Sequence, residues 1–148
     1  NIHKKKELYK AALSEYQQLM QTKFSEMTLL SQAQIYAYFD DHLKAASLYV
    51  LLAHKDSEKK EEYLFQAASF QLHKDKKTAI DTFATIVDLN GKYAAKAAFN
   101  QLNLLYQEKR YRDFILAQDK ALKHIAPEKL PLIHYYLGKS LLHTGDFL

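Results

Sequence analysis

Apolar positions recur with a helical period along almost the whole chain. Leu8, Ala12, Tyr16 and Leu19 share one helical face, and so do Ala45, Tyr49 and Leu52. Asp41 and Asp75 stand just before such runs, where a carboxylate can accept hydrogen bonds from the free N–H groups of a first turn. Asn90-Gly91 and Pro127 read as stops. No stretch rich in Gly, Ser or Pro separates these segments, so the pattern marks no boundary inside the chain.

Comparing the chain with itself says more. Shifted by 34 residues, Leu29 falls on Tyr63, Gln32 on Gln66, Ala33 on Ala67 and Tyr36 on Phe70. The same offset places Ala45 on Ala79, Tyr49 on Phe83 and Leu52 on Ile86. A third copy follows after one inserted residue, with Gln101, Leu102, Leu105, Phe114, Gln118 and Ala121. Each copy spans two helices and a short turn.

This pattern resembles the tetratricopeptide repeat, in which a small residue of the first helix lets the second approach and aromatics fill the gaps. Ala33 and Ala67 take the small first-helix place, with Tyr36 and Phe70 as its aromatic. Ala45 with Tyr49, and Ala79 with Phe83, take the second-helix place. Leu137-Gly138, Leu141 and then Gly145-Asp146-Phe147 carry the match toward the C-terminus. The chain departs from the family in having no Trp and in placing Gln32, Gln66 and Gln101 where the pattern has Leu. The third copy also carries Leu102 for the small residue, Phe114 for Ala and Gln118 for the aromatic.

The resemblance implies an all-α fold, a right-handed superhelical α-solenoid of antiparallel helix pairs. It has about three full repeats and a half repeat at each end. On this reading 7–23 is a lone second-type helix, 26–59, 60–93 and 95–129 are repeats, and 131–148 is the first helix of a further repeat. The chain is then one repeat domain, a window from a longer array, with uncapped ends open to self-association.

Composition narrows the class. Three Gly and two Pro in 148 residues argue against a sandwich or barrel, which need frequent turns. The absence of Cys excludes a disulfide scaffold and any Cys-ligated zinc or iron–sulfur site. It leaves the compartment open between cytoplasm and periplasm for a soluble chain. The net charge of +4 is mildly basic. Part of the excess sits in Lys4, Lys5 and Lys6, which read as a solvated first turn. No run approaches the ~18 apolar residues of a spanning helix, so no membrane span is expected.

Catalytic chemistry finds little support. The His residues stand at 3, 42, 54, 73, 124, 134 and 143, and no two are three or four apart. No helix therefore presents a two-His metal face, and no metal or cofactor is expected. Asp40-Asp41 and Glu61-Glu62 are adjacent pairs whose side chains diverge on a helix. No G-x-S-x-G, Gly-rich phosphate loop or H-E-x-x-H occurs, and the expectation is a protein without enzymatic activity.

The resemblance implies that first helices line a concave side, the usual binding surface of solenoids. Turning at 100° per residue away from Leu29, Ala33 and Tyr36 selects Met27, Leu30, Gln34 and Tyr38. The same rotation selects Leu64, Phe65, Ala68 and Leu72 in the second copy, and Lys96, Phe99, Asn103 and Gln107 in the third. At the end it selects Leu132, Tyr135, Lys139 and His143. Residues 28–39, 63–72, 93–107 and 132–144 hold 2 charged side chains in 50 positions, against 36 in the other 98. A helix without charge all round is expected either to be buried or to form a groove for an apolar or aromatic segment. Some members of the family hold a C-terminal carboxylate with a Lys/Asn/Arg clamp. Only Asn103 and Lys139 have suitable chemistry here, so no clamp is expected and partner binding should depend little on salt.

The functional expectation is a protein–protein interaction scaffold binding an apolar or aromatic partner segment. The first alternative is an RNA-binding helical repeat of the pentatricopeptide kind; no DNA partner is expected. The basic balance and the 11 Tyr and 8 Phe favour RNA, while the uncharged inner face disfavours it. The second alternative is a structural spacer whose groove is permanently filled.

Overall fold

The computed structural model describes residues 1–19 and 25–145. Of the positions read from sequence, the side chain of Leu19, residues 20–23 of the expected 7–23 helix and residues Asp146 to Leu148 lie outside this set. The described residues form eight α-helices and no strand: α1 (Ile2–Leu19), α2 (Ser25–Tyr38), α3 (His42–Lys55), α4 (Lys60–Lys74), α5 (Lys76–Leu89), α6 (Ala94–Gln107), α7 (Tyr111–Ala121) and α8 (Leu130–Thr144). Among these residues, no helix is long and apolar enough to cross a membrane.

The helix ends follow from local chemistry. Asp41 and Asp75 are the N-caps of α3 and α5, as their positions predict. The Asp75 carboxylate accepts from the Thr78 backbone N–H at 3.2 Å and from its hydroxyl at 2.6 Å. These bonds hold its carboxyl below the ordinary carboxylate range. Asn90 ends α5 in the left-handed region, with φ 57°. Pro127 behaves differently from the expectation. The α7 helix already ends at Ala121, a 3₁₀ turn at Leu122–His124 follows, and Pro127 opens a second 3₁₀ turn that leads into α8. A proline lacks an N–H but fits a first turn, so here it starts structure where a stop was expected.

Two turns share one geometry. Asp40 has φ 60°, and Asp41 N–H donates to the Tyr36 carbonyl at 2.9 Å. Lys109 also has φ 60°, and Arg110 N–H donates to the Leu105 carbonyl at 2.8 Å. This is the Schellman closure, with a left-handed residue just past the helix end. By contrast, Asp75 alone separates α4 from α5, and its backbone stays at φ −147°.

The chain divides into two compact units, Asn1–Lys74 and Asp75–Leu148. No shift in composition marks that division. In the first unit α1 packs on α2, α2 on α3 and α3 on α4. Its core draws on Leu29, Ala33, Ala45, Leu52 and Ala67, all fully buried. Tyr49 stacks on Phe70, with ring centroids 5.8 Å apart. In the second unit α5 packs on α6, α6 on α7, and α8 on both α7 and α6. Phe83, Ile86, Leu102, Leu105, Phe114 and Ile133 are its large buried side chains.

Burial corrects the register read from sequence. The second helices follow the expected offset: Ala45, Ala46, Tyr49, Leu52 and Ala53 of α3 correspond to Ala79, Ile80, Phe83, Ile86 and Val87 of α5, 34 positions on. The first helices do not. Thr28, Leu29, Gln32 and Ala33 are buried on α2, and Tyr63, Leu64, Ala67 and Ala68 on α4, 35 positions on. Ala97, Ala98, Gln101 and Leu102 of α6 lie a further 34 positions on. The α4 packing face is therefore turned by one residue, about 100°, relative to the alignment. Gln66 is exposed where Gln32 is buried. The longer α4, running to Lys74 with a single connecting residue, takes up the difference.

Candidate functional site

The stripe selected from sequence is only partly a surface. On α2, Met27 and Tyr38 are 69% and 78% exposed, Gln34 is exposed and Leu30 half-buried. On α4 the turned face changes the outcome. Leu64 and Ala68 are buried at 6% and 0%, so they are packing residues and not available to a partner. Phe65 and Leu72 remain half-buried. On α6, Phe99 and Asn103 are half-buried, while Lys96 and Gln107 are exposed. On α8, Leu132, Tyr135, Lys139 and His143 are all exposed. The stripe is divided between the two units, with its α2 and α4 members in the first and its α6 and α8 members in the second.

In the first unit, Gln34 and Tyr38 open onto a cavity of about 330 Å³ between α1 and α2. Tyr9 and Tyr16 of α1 and Ile35 and Phe39 complete its aromatic and aliphatic wall, with Ser31. The Phe39 ring meets Tyr9 edge-on at 5.7 Å and Tyr38 edge-on at 5.2 Å. Edge-to-face contacts of this kind are attractive and leave ring surface open. Tyr9 and Phe39 lie outside the stripe that helical rotation selects. Tyr9 belongs to a different helix, and Phe39 lies one residue past the end of α2, where a helical projection no longer applies. The signal that was present is the Tyr38-Phe39 pair at a helix end.

Polar contacts also tie this unit together. The Tyr63 hydroxyl donates to Glu26 Oε1 at 2.8 Å, joining α4 to α2, and Lys59 Nζ stands 3.9 Å from the same oxygen. Burial, and then the Glu26 carboxylate, push the Tyr63 hydroxyl well above the ordinary tyrosine value. Burial also raises Tyr49. His42, at the start of α3, lies against Phe70 with centroids 5.7 Å apart and 5.7 Å from the His73 ring. Its Nδ1 is buried without a hydrogen-bond partner.

In the second unit the aromatic side chains are largely committed to one another. Tyr106 stacks on Tyr136 at 3.9 Å, and His143 stacks on Tyr111 at 4.3 Å. Lys139 Nζ lies 5.7 Å from the Tyr135 ring centroid. Burial and the neighbouring tyrosines raise the Tyr106 hydroxyl. Phe99 borders a separate, mostly apolar cavity of about 430 Å³ between α6 and the turn preceding α8. Sequence selected Phe99 and Lys96 of this cavity but not Ala126 or Lys129, which belong to the connector. No signal short of tertiary contact joins the two stretches.

Among the described residues, no group of three or more His, Asp or Glu is placed to hold a metal ion. What the two cavities can do chemically is accept apolar or aromatic groups. Compared with known proteins, the chain matches no family model, and no curated protein or solved structure resembles it significantly.

Proposed function

We propose that this chain is a protein-interaction scaffold of tetratricopeptide type. Its nearly uncharged helices would present apolar, aromatic surface to partner segments, α2 in the first unit and α8 in the second. The observation that supports this best is the exposure of large apolar side chains on nearly uncharged helices. Met27 and Tyr38 on α2, and Tyr135 and Leu142 on α8, are 57–78% exposed. Solvated helices normally carry charge on such faces, and exposed aromatics that are grouped mark contact sites. Tyrosine adds contact area at low entropic cost, which suits it to binding surfaces.

The test is partner capture with the wild-type chain, Tyr38→Ala and Tyr135→Ala, each checked for unchanged helicity. Selective loss of one partner in either variant supports the surface that carries the substituted residue. A partner list identical for all three proteins moves the binding surface elsewhere. A gel shift with single-stranded RNA at moderate salt transfers the reading to the RNA-binding alternative.

A further inference from the structure

We propose that the cavity between α6 and the Ala126–Lys129 turn takes one apolar, preferably aromatic, side chain of a partner peptide that carries acidic residues beside it. This rests on the scaffold reading and names the chemistry of one of its contacts. The cavity of about 430 Å³ is lined by two small residues, Ala95 on the same α6 face as Phe99 and Ala126 of the connector, which leave room beside the ring. Its volume lies toward the lower end of the roughly 300–1,000 Å³ of ligand pockets and leaves ample room for one large side chain. Its lining is mostly apolar, made by the two alanines, the Phe99 ring and the lysine stems.

The rim supplies the charge preference. Lys96 and Lys129 both border the opening. Lys129 Nζ sits 4.9 Å from the Phe99 ring centroid, so its charge is held at the mouth. Neither lysine forms an ion pair among the described residues, and Glu128 is the one acid at the rim. Two cations against one carboxylate favour an anionic neighbour to whatever enters. Lys96 also lies in the first turn of α6, where the helix dipole adds to that preference.

The rim is set before binding. Ile125 is buried and pegs the connector, Pro127 fixes its backbone, and Lys129 N–H donates to the Ala126 carbonyl at 2.9 Å. Preformed geometry lowers the entropic cost of docking. An uncharged apolar group would fill the floor and leave both lysines unused. The two cations also add a salt-sensitive component to binding that the sequence alone suggests is salt-insensitive.

The experiment uses labelled, end-blocked peptides with a central Glu-Phe-Glu, Glu-Ala-Glu or Lys-Phe-Lys, and fluorescence anisotropy with the full chain. The Glu-Phe-Glu peptide should bind about ten-fold tighter than either control, the effect of two or three exposed charge contacts or one buried ring. The double variant Lys96→Glu/Lys129→Glu, both changes on exposed side chains, should abolish or reverse the charge preference. Lys123→Glu, outside the cavity, should leave it intact. Equal binding of the Lys-flanked peptide, indifference to the double variant, or no binding of any peptide overturns the proposal. If Tyr38→Ala or Tyr135→Ala still costs the chain a partner, the scaffold reading survives that failure.

Discussion

The α2–α3 and α6–α7 helix pairs close with the same turn yet distribute their cores differently, evenly in the first and unevenly in the second. Both turns place a non-glycine residue in the left-handed region, Asp40 in one and Lys109 in the other. In the first pair both helices carry the core: α2 buries Thr28, Leu29, Gln32 and Ala33, and α3 buries Ala45, Ala46, Tyr49, Leu52 and Ala53. In the later pair the first helix carries most of it: α6 buries Ala94, Ala97, Ala98, Gln101, Leu102, Leu104 and Leu105, while α7 buries only Phe114 and Ala121. Phe114 stands where α3 has Ala45 and α5 has Ala79. A small residue in that place lets helices approach, and a large one fills the space when they do not. The comparison teaches that turn geometry and core composition are separable, because one is local and the other depends on what packs opposite.

If α7 depends on one ring, Phe114→Ala should be the most damaging change in the molecule. It should cost about 3–5 kcal/mol of unfolding free energy, read by denaturant melts. A loss under 1 kcal/mol would mean that α7 is held by other contacts. The reciprocal change, Ala45→Phe, puts the α7 residue into the tight α3 site. Overpacking there should cost about 1–3 kcal/mol, and a neutral result would show that the two sites have the same room.

The shared turn offers a smaller test. Lys109→Gly removes the steric penalty of a left-handed L-residue and should stabilise by about 1 kcal/mol. Asp40→Gly should gain less, since Asp tolerates that conformation better than Lys. Equal gains at both sites would remove the distinction.

The weakest contrast is with pH. Tyr49 and Tyr63 of the first unit ionise later when folded than when unfolded. Their contribution is complete below pH ~10, the ordinary tyrosine value, and is lost as pH rises beyond it. Asp75, in the second unit, has the opposite sign. Its contribution is complete above pH ~3.9 and is lost as pH falls through the lowered folded value. Tyrosinate absorbance during alkaline titration, with Tyr63→Phe as reference, checks the first. Helix melts below pH ~4, with Asp75→Asn as reference, check the second.

Much of the local structure was legible. The helical period, the Asp41 and Asp75 caps and the left-handed Asn90 follow from interactions within a few residues. The second-helix register was legible too, because Ala45 and Ala79 recur at a constant offset. The α4 register was not. Gln66 resembles Gln32 in type, and Ala67 resembles Ala33, so similarity favoured an alignment one residue away from the packed one. Ala68 gave no sign that it would be the equivalent of Ala33. Of the candidate site, exposed Tyr38 and Tyr135 were legible from their place among uncharged residues, and buried Leu64 and Ala68 were misjudged by the same one-residue slip.

By itself, then, the sequence determined the helical period, where α3 and α5 begin and where α5 ends, since those energies depend on neighbours along the chain. Only the tertiary structure decided which face of α4 is buried, where Phe39 and Tyr9 meet, and that Ala126 and Phe99 line one cavity. Each of these is set by groups distant in sequence that compete for the same space, and packing resolves that competition only once the helices are together.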